Sequence, residues 1–169
     1  MREGAIKVGE NRYRETFGRY FEDFSVGDIY EHRPGRTITE TDNTWFTLLT
    51  MNTHPAHFDK VFASKTEFKR PLVCSPFTVA LLVGMSVSDV SQKAVANLGW
   101  REIRMPNPLF VGDTVYGESE CIDKRESSSR PQQGIVTVHS RLFQQEGKLV
   151  CEFDRTMLIW KRGFGNMDD

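Results

Sequence analysis

The chain has 169 residues, 38% of them hydrophobic and 11% aromatic, and its 22 Lys and Arg nearly balance 23 Asp and Glu. That is enough chain for one domain around one core, and the near-neutral balance lacks the basic footprint of a nucleic-acid or anionic-membrane binder. No run approaches the ~20 apolar residues that span a bilayer. The opening MREGAIKVGENRYRE holds no apolar signal core, so the expected setting is the cytoplasm, with neither membrane nor nucleic acid as partner. Cys74, Cys121 and Cys151 are an odd number without a CxxC pair, which reads as reduced, buried thiols rather than a disulfide frame or a zinc site.

Residues 1–16 carry charge and little apolar periodicity, and are expected to be a loose arm or a segment that orders against a partner subunit. A turn at Val26-Gly27-Asp28 leads into alternation through Ile29, His32 and Ile38, a strand interrupted near Pro34-Gly35. Thr39, followed by Glu40 and Asp42, predicts a capped acidic helix with Trp45, Leu48, Leu49 and Asn52 on its apolar face. Pro55 stops that helix at about Thr53. SPFTVALLVGMSVSDVSQKAV, which starts with Ser75-Pro76, is hydrophobic nearly all round and long enough for five turns, the pattern of a central buried helix. After Gly99 the runs become strands, with Ser127–Gly134 as a loose hairpin loop and Glu146-Gly147-Lys148 as a tighter one. Residues 163–169 read as a flexible tail, and no repeat or composition shift marks a second domain. The sum is an α+β domain over residues 17–162, an antiparallel sheet wrapped around one long central helix in a hot-dog-like layout. Its open sheet edge suits a second copy, so a homodimer or dimer of dimers is expected.

The strongest local signal is the pair His54 and His57 around Pro55, because a proline-anchored turn presents imidazoles rigidly and histidine exchanges protons near neutral pH. The plainer alternative has Asn52 capping the helix and the histidines bonding the loop. A metal would need a third ligand such as Asp59, and HxxHxD on a loop is a weak pattern for one. Val73-Cys74-Ser75-Pro76-Phe77 opens the apolar helix, whose unpaired first-turn N–H groups could polarise a carbonyl and stabilise an enolate; Ser75 could equally be an ordinary cap. His32 and His139 lie in strand patterns and read as structural. No phosphate loop, GxSxG elbow or CxxC pair is present, which weighs against triphosphate, serine-hydrolase and thioredoxin-like chemistry.

FEDFSVGDIY, RTITETD, LLTMNTHPAHFD, PLVCSPFTVALLVGMSVSD and MPNPLFVGDTV, in this order from about Tyr20 to Arg162, resemble the MaoC-like dehydratases, hot-dog-fold proteins that include the (R)-specific enoyl-CoA hydratases. WFTLLTMNTHPAHFD looks like the branch that hydrates mesaconyl-CoA or itaconyl-CoA. The family's site has an Asp, an Asn-Pro pair two residues on, and a His five residues after the Asp; here these positions hold Asn52, His54-Pro55 and His57. The resemblance implies that His57 acts as general acid and base and that Asn52 orients the water, since an amide can hold a water but not take its proton. It also implies substrate contacts from His54, Ser75 and Phe77, with Arg70 and Arg104 near CoA phosphates or a carboxylate. Many members have His-Gly where this chain has Cys74-Ser75, and the Ser75 backbone amide still serves as an oxyanion donor. The implied activity is reversible hydration of a short, branched dicarboxylyl-CoA thioester, with no metal or organic cofactor. Asn52 in the Asp position keeps open a non-catalytic acyl-CoA-binding domain, and a hot-dog thioesterase is the third reading.

Overall fold

The computed structural model describes residues 5–165. After a hairpin of β1 (Ala5–Gly9) and β2 (Arg12–Glu15), the chain runs through β3 (Ile29–Thr37), α1 (Glu40–Leu49), a one-turn α2 (Lys60–Ala63) and α3 (Ser75–Met85). It then forms β4 (Ala94–Arg104), β5 (Thr114–Glu126), β6 (Gln133–Gln144) and β7 (Leu149–Trp160). The last four strands and β3 make one antiparallel sheet in the order β3-β5-β6-β7-β4, with β3 and β4 at its edges. The hot-dog layout expected from the sequence is therefore present: a five-stranded sheet against a central helix.

Period-two patterning makes the sheet one-sided. In β7 the alternate residues Cys151, Phe153, Arg155, Met157 and Ile159 are buried while Glu152, Asp154 and Thr156 between them are half-buried. In β5 the same alternation buries Val115, Gly117, Ser119 and Cys121. α3 lies on this face, with Leu82 fully buried among Ile38, Val115, Leu142 and Phe153. Gly117 permits the approach, since a Cβ there would stand 3.1 Å from the Leu82 side chain and from the His32 ring. Three thiols, Cys74, Cys121 and Cys151, are free and buried.

Several elements depart from the sequence reading. Residues 5–15, expected as a loose arm, form the β1–β2 hairpin; residues 1–4 of that arm and 166–169 of the expected tail lie outside the described residues. The five-turn helix is shorter: α3 ends at Met85, and a wider turn at Val87–Ser91 follows it. β4 starts at Ala94, before Gly99. α1 begins where expected, with a reciprocal cap in which Thr39 Oγ1 accepts from the Asp42 N–H and Asp42 Oδ2 from the Thr39 N–H. It ends at Leu49, because Met51 turns left-handed (φ 56°) and the Asn52 N–H bonds back to the Thr47 carbonyl at 2.9 Å. Its polarity is the reverse of the expected one. Asn43 and Thr47 are buried, whereas Trp45, Leu48 and Leu49 are 65%, 72% and 80% exposed.

The α1 cap carries a pH dependence. Partial burial acts to raise the Asp42 carboxyl, but the Thr39 N–H and hydroxyl and the Arg36 guanidinium outweigh it and hold the group below its usual 3.8. A depressed folded-state pKa contributes stability above the unfolded value that is lost as pH falls through the folded one. In urea unfolding, the stability gap between the parent chain and Asp42→Asn is expected to be full near neutral pH and to shrink as pH drops below 3.8.

Candidate active site

The left-handed turn after α1 throws the chain into the segment Asn52–His57. Asn52 Oδ1 accepts from the His54 N–H at 3.1 Å, a side-chain turn, and Pro55 starts a single helical turn over Pro55–His57. His54 Nδ1 accepts from the Ala56 N–H at 3.2 Å, and its exposed ring packs edge-on against Phe62. His57 is half-buried, with Nδ1 3.1 Å from the Leu72 carbonyl. A carbonyl only accepts, so Nδ1 is the protonated nitrogen of the neutral ring and Nε2 keeps the lone pair. The segment thus satisfies the plain reading, in which these side chains brace the loop, and also leaves the Nε2 of each ring uncommitted among the described residues, as a lone pair on His57.

Facing it is the start of α3. The Cys74 N–H is taken by Asn43 Oδ1 at 2.8 Å, Pro76 has no N–H, and the Thr78 N–H opens the helical ladder to the Cys74 carbonyl at 3.1 Å. The Ser75 N–H has no partner outside the helix among the described residues and sits at the positive end of the helix. His57 and Ser75 line one cavity of about 270 Å³, together with Phe68, Thr78, Asn107 and Leu109. Asn107 is fixed by its Nδ2 donating to the Leu149 carbonyl at 2.8 Å. A basic nitrogen and a free backbone donor on one cavity wall can move a proton at one atom of a bound molecule while stabilising negative charge on another.

The other residues singled out from the sequence are placed around this cavity rather than in it. Asn52 lines a neighbouring apolar groove with Thr47, Leu48, Met51 and Phe58, and its Nδ2 donates to Cys74 Sγ at 3.2 Å. His54 lies outside, its ring centroid 5.8 Å from that of His57. Phe77 packs on Phe46 and walls a separate groove of about 530 Å³ with Arg33, Arg36 and Leu81. Arg70 is exposed with its guanidinium 3.7 Å from the centroid of Phe110, whose ring neighbours Phe68 of the cavity. Arg104 is exposed on the β4 edge and paired with Glu102 at 2.8 Å. Asp59, considered as a metal ligand, caps α2 by accepting from the Phe62 N–H. Among the described residues no three His, Cys, Asp or Glu converge on a metal-sized site, and no helix is long and apolar enough to cross a membrane.

Sequence reasoning missed Asn43 and the Met105–Leu109 wall of the cavity. The available signal for Asn43 was an amide directly after the capping Asp42, four residues before Thr47, which puts two polar residues on one helical face.

The comparisons agree with the architecture. Residues 7–169 match the family described as mesaconyl-CoA hydratase. The mesaconyl-CoA hydratase of Cereibacter sphaeroides is 32% identical over 145 residues, 86% of this chain and 42% of that protein. The (R)-specific enoyl-CoA hydratase of Aeromonas caviae is 33% identical over 104 residues, 62% of this chain and 73% of that protein. Among solved structures, a putative MaoC domain protein dehydratase from Chloroflexus aurantiacus superposes with a TM-score of 0.82 at 30% identity, over 90% of this chain and 42% of that one. The fold and its matches are those of the MaoC-like hot-dog dehydratases. Within that class the chain belongs to the mesaconyl-CoA hydratase family, and it spans less than half the length of the curated mesaconyl-CoA hydratases it matches.

Proposed function

We propose that the protein is a hydro-lyase that adds water reversibly across the double bond of a short, branched dicarboxylyl-CoA thioester of the mesaconyl or itaconyl type. The observation that carries this reading is His57, held through Nδ1 by the Leu72 carbonyl on the wall of a cavity that Ser75, with no partner for its N–H outside α3 among the described residues, also lines. His57 Nε2 takes a proton from water as the water oxygen bonds to the β-carbon, and the displaced electron pair moves onto the thioester oxygen as an enolate. The Ser75 N–H stabilises that oxygen, and Nε2 then returns the proton to the α-carbon. The addition is redox-neutral and needs no metal or organic cofactor.

Asn52 has one Nδ2 hydrogen on Cys74 Sγ and one Oδ1 lone pair on the His54 N–H, which leaves the other hydrogen and lone pair to orient a water. A cavity of about 270 Å³ suits a short acyl group, and no cation lines it among the described residues. Arg70 and Arg104, outside it, are assigned to the carboxylate or the CoA phosphates, and Phe77 and His54 to the flanks of the thioester path.

Loss of the enoyl-thioester absorbance with mesaconyl-CoA or crotonyl-CoA tests the reaction, with mass detection for itaconyl-CoA. His57→Ala is expected to lower kcat by ~10²–10⁴-fold in a protein that still folds; unchanged turnover removes His57 as the base. Release of free CoA from a saturated acyl-CoA would replace the proposal with a thioesterase, and binding without turnover would replace it with an acyl-CoA-binding domain.

The same reading includes a homodimer. β4 is an open 11-residue edge carrying Leu98, Trp100 and Ile103 at 52%, 44% and 49% exposure, and α1 presents its apolar face outward. Such surfaces are covered in a stable soluble protein, and a second copy covers them by closed two-fold pairing. Leu98→Lys with Ile103→Lys, or Trp45→Glu with Leu49→Glu, is expected to convert a dimer to a monomer in analytical ultracentrifugation. A parent chain that sediments as a monomer would refute the pairing.

A further inference from the structure

Asn43 is 1% exposed, a buried amide on a helix whose large apolar side chains point outward. A buried amide persists only where its polar atoms are paired. Nδ2 spends both hydrogens, donating to the carbonyls of His57 at 2.8 Å and Leu72 at 2.9 Å, and Oδ1 accepts from the Cys74 N–H at 2.8 Å. Two carbonyls on one side and an N–H on the other fix which way the amide faces. The three partners belong to the histidine turn, the segment opposite it and the start of α3, which are the pieces that meet at the cavity. The Leu72 carbonyl is shared, because it also lies 3.1 Å from His57 Nδ1. With two lone pairs, it can accept from both.

We propose that Asn43 is a positioning residue that sets the tautomer of His57. By anchoring the Leu72 carbonyl and the His57 backbone together, it keeps the proton on Nδ1 and the lone pair on Nε2, as the ring's hydrogen-bond partner dictates. The consequence for turnover rests on His57 being the base; the tautomer does not. Asn43→Asp has the same shape and still accepts from Cys74, but sets an oxygen against both carbonyls in place of the donor. Asn43→Ser shortens the side chain and can donate to one carbonyl at most.

The test reads the His57 ring directly, by long-range proton–nitrogen correlation spectra of the isotope-labelled full chain without substrate. It is run at about pH 8.5, above the ordinary histidine pKa of about 6.5. The parent protein is expected to carry the His57 proton on Nδ1. Asn43→Asp is expected to move it toward the Nε2 form and to lower kcat ~10²-fold with KM within about twofold, the pattern of a misaligned group. Asn43→Ser is expected to move it in the same direction and serves if Asn43→Asp does not fold. A parent ring protonated on Nε2, or an unchanged tautomer in a folded variant, overturns the proposal. Loss of the hydratase reading shows separately, as unchanged turnover in His57→Ala, and leaves the tautomer result standing.

Discussion

Three short hydrogen bonds from one buried amide hold the site together. Asn43 reaches from α1 to the His57 carbonyl, the Leu72 carbonyl and the Cys74 N–H. Those groups lie at the end of a helical turn, on an isolated bridge and at a helix cap, and among the described residues no sheet or helix ladder takes them. A buried backbone carbonyl left without a partner costs about 1–3 kcal/mol, so the turn, the 72 position and the start of α3 are mutually dependent. This explains why α1 turns its polar side inward. Its inner face is selected for bonding to loops rather than for apolar packing, and the apolar side chains are left to the outside.

A second polar device spans the inner face of the sheet. The core falls into two apolar clusters, one around Phe24, Val138 and Met157 and the other around Leu82, Leu142 and Phe153. Between them lies a buried polar chain in which Ser140 meets Ser119 at 2.7 Å, Ser119 meets His32 Nε2 at 2.8 Å, and His32 Nδ1 meets Asp89 at 2.8 Å. Arg155 from β7 reaches Ser86 and Ser91 near the end of α3. Ending α3 at Met85 and widening the next turn sets Ser86, Asp89 and Ser91 over this belt, so the break in the helix and the polar belt explain each other.

Much of this was legible in the residues. The cap at Thr39, the histidine turn, the hairpins at Ser127–Gly134 and Glu146–Lys148, the buried thiols and the structural roles of His32 and His139 follow from turn chemistry and periodicity. What was hidden depended on partners distant in sequence. The inward face of α1 is set by carbonyls 14 and 29 residues away from Asn43. The end of α3 is set by His32, 57 residues from Asp89. The spacing around Pro55 identified both histidines but not which would reach the cavity, because that choice is made by the Leu72 carbonyl on the opposite segment. The β1–β2 hairpin was hidden for a different reason, since its residues are largely exposed and carry too little apolar alternation to announce strands.

Two of the places where the motif departs from the pattern it resembles touch each other. Asn52 stands where an Asp is expected and Cys74 where many members have His, and the Asn52 Nδ2 donates to the buried Cys74 sulfur at 3.2 Å. A carboxylate at 52 has no hydrogen to give this sulfur and could only accept from the thiol. An amide supplies the hydrogen that the sulfur accepts, and its oxygen still takes the His54 N–H that shapes the turn. The residues at 52 and 74 are therefore joined directly by a hydrogen bond. The ring left at the cavity with an unprotonated nitrogen is His57, because the Leu72 carbonyl takes its Nδ1 hydrogen.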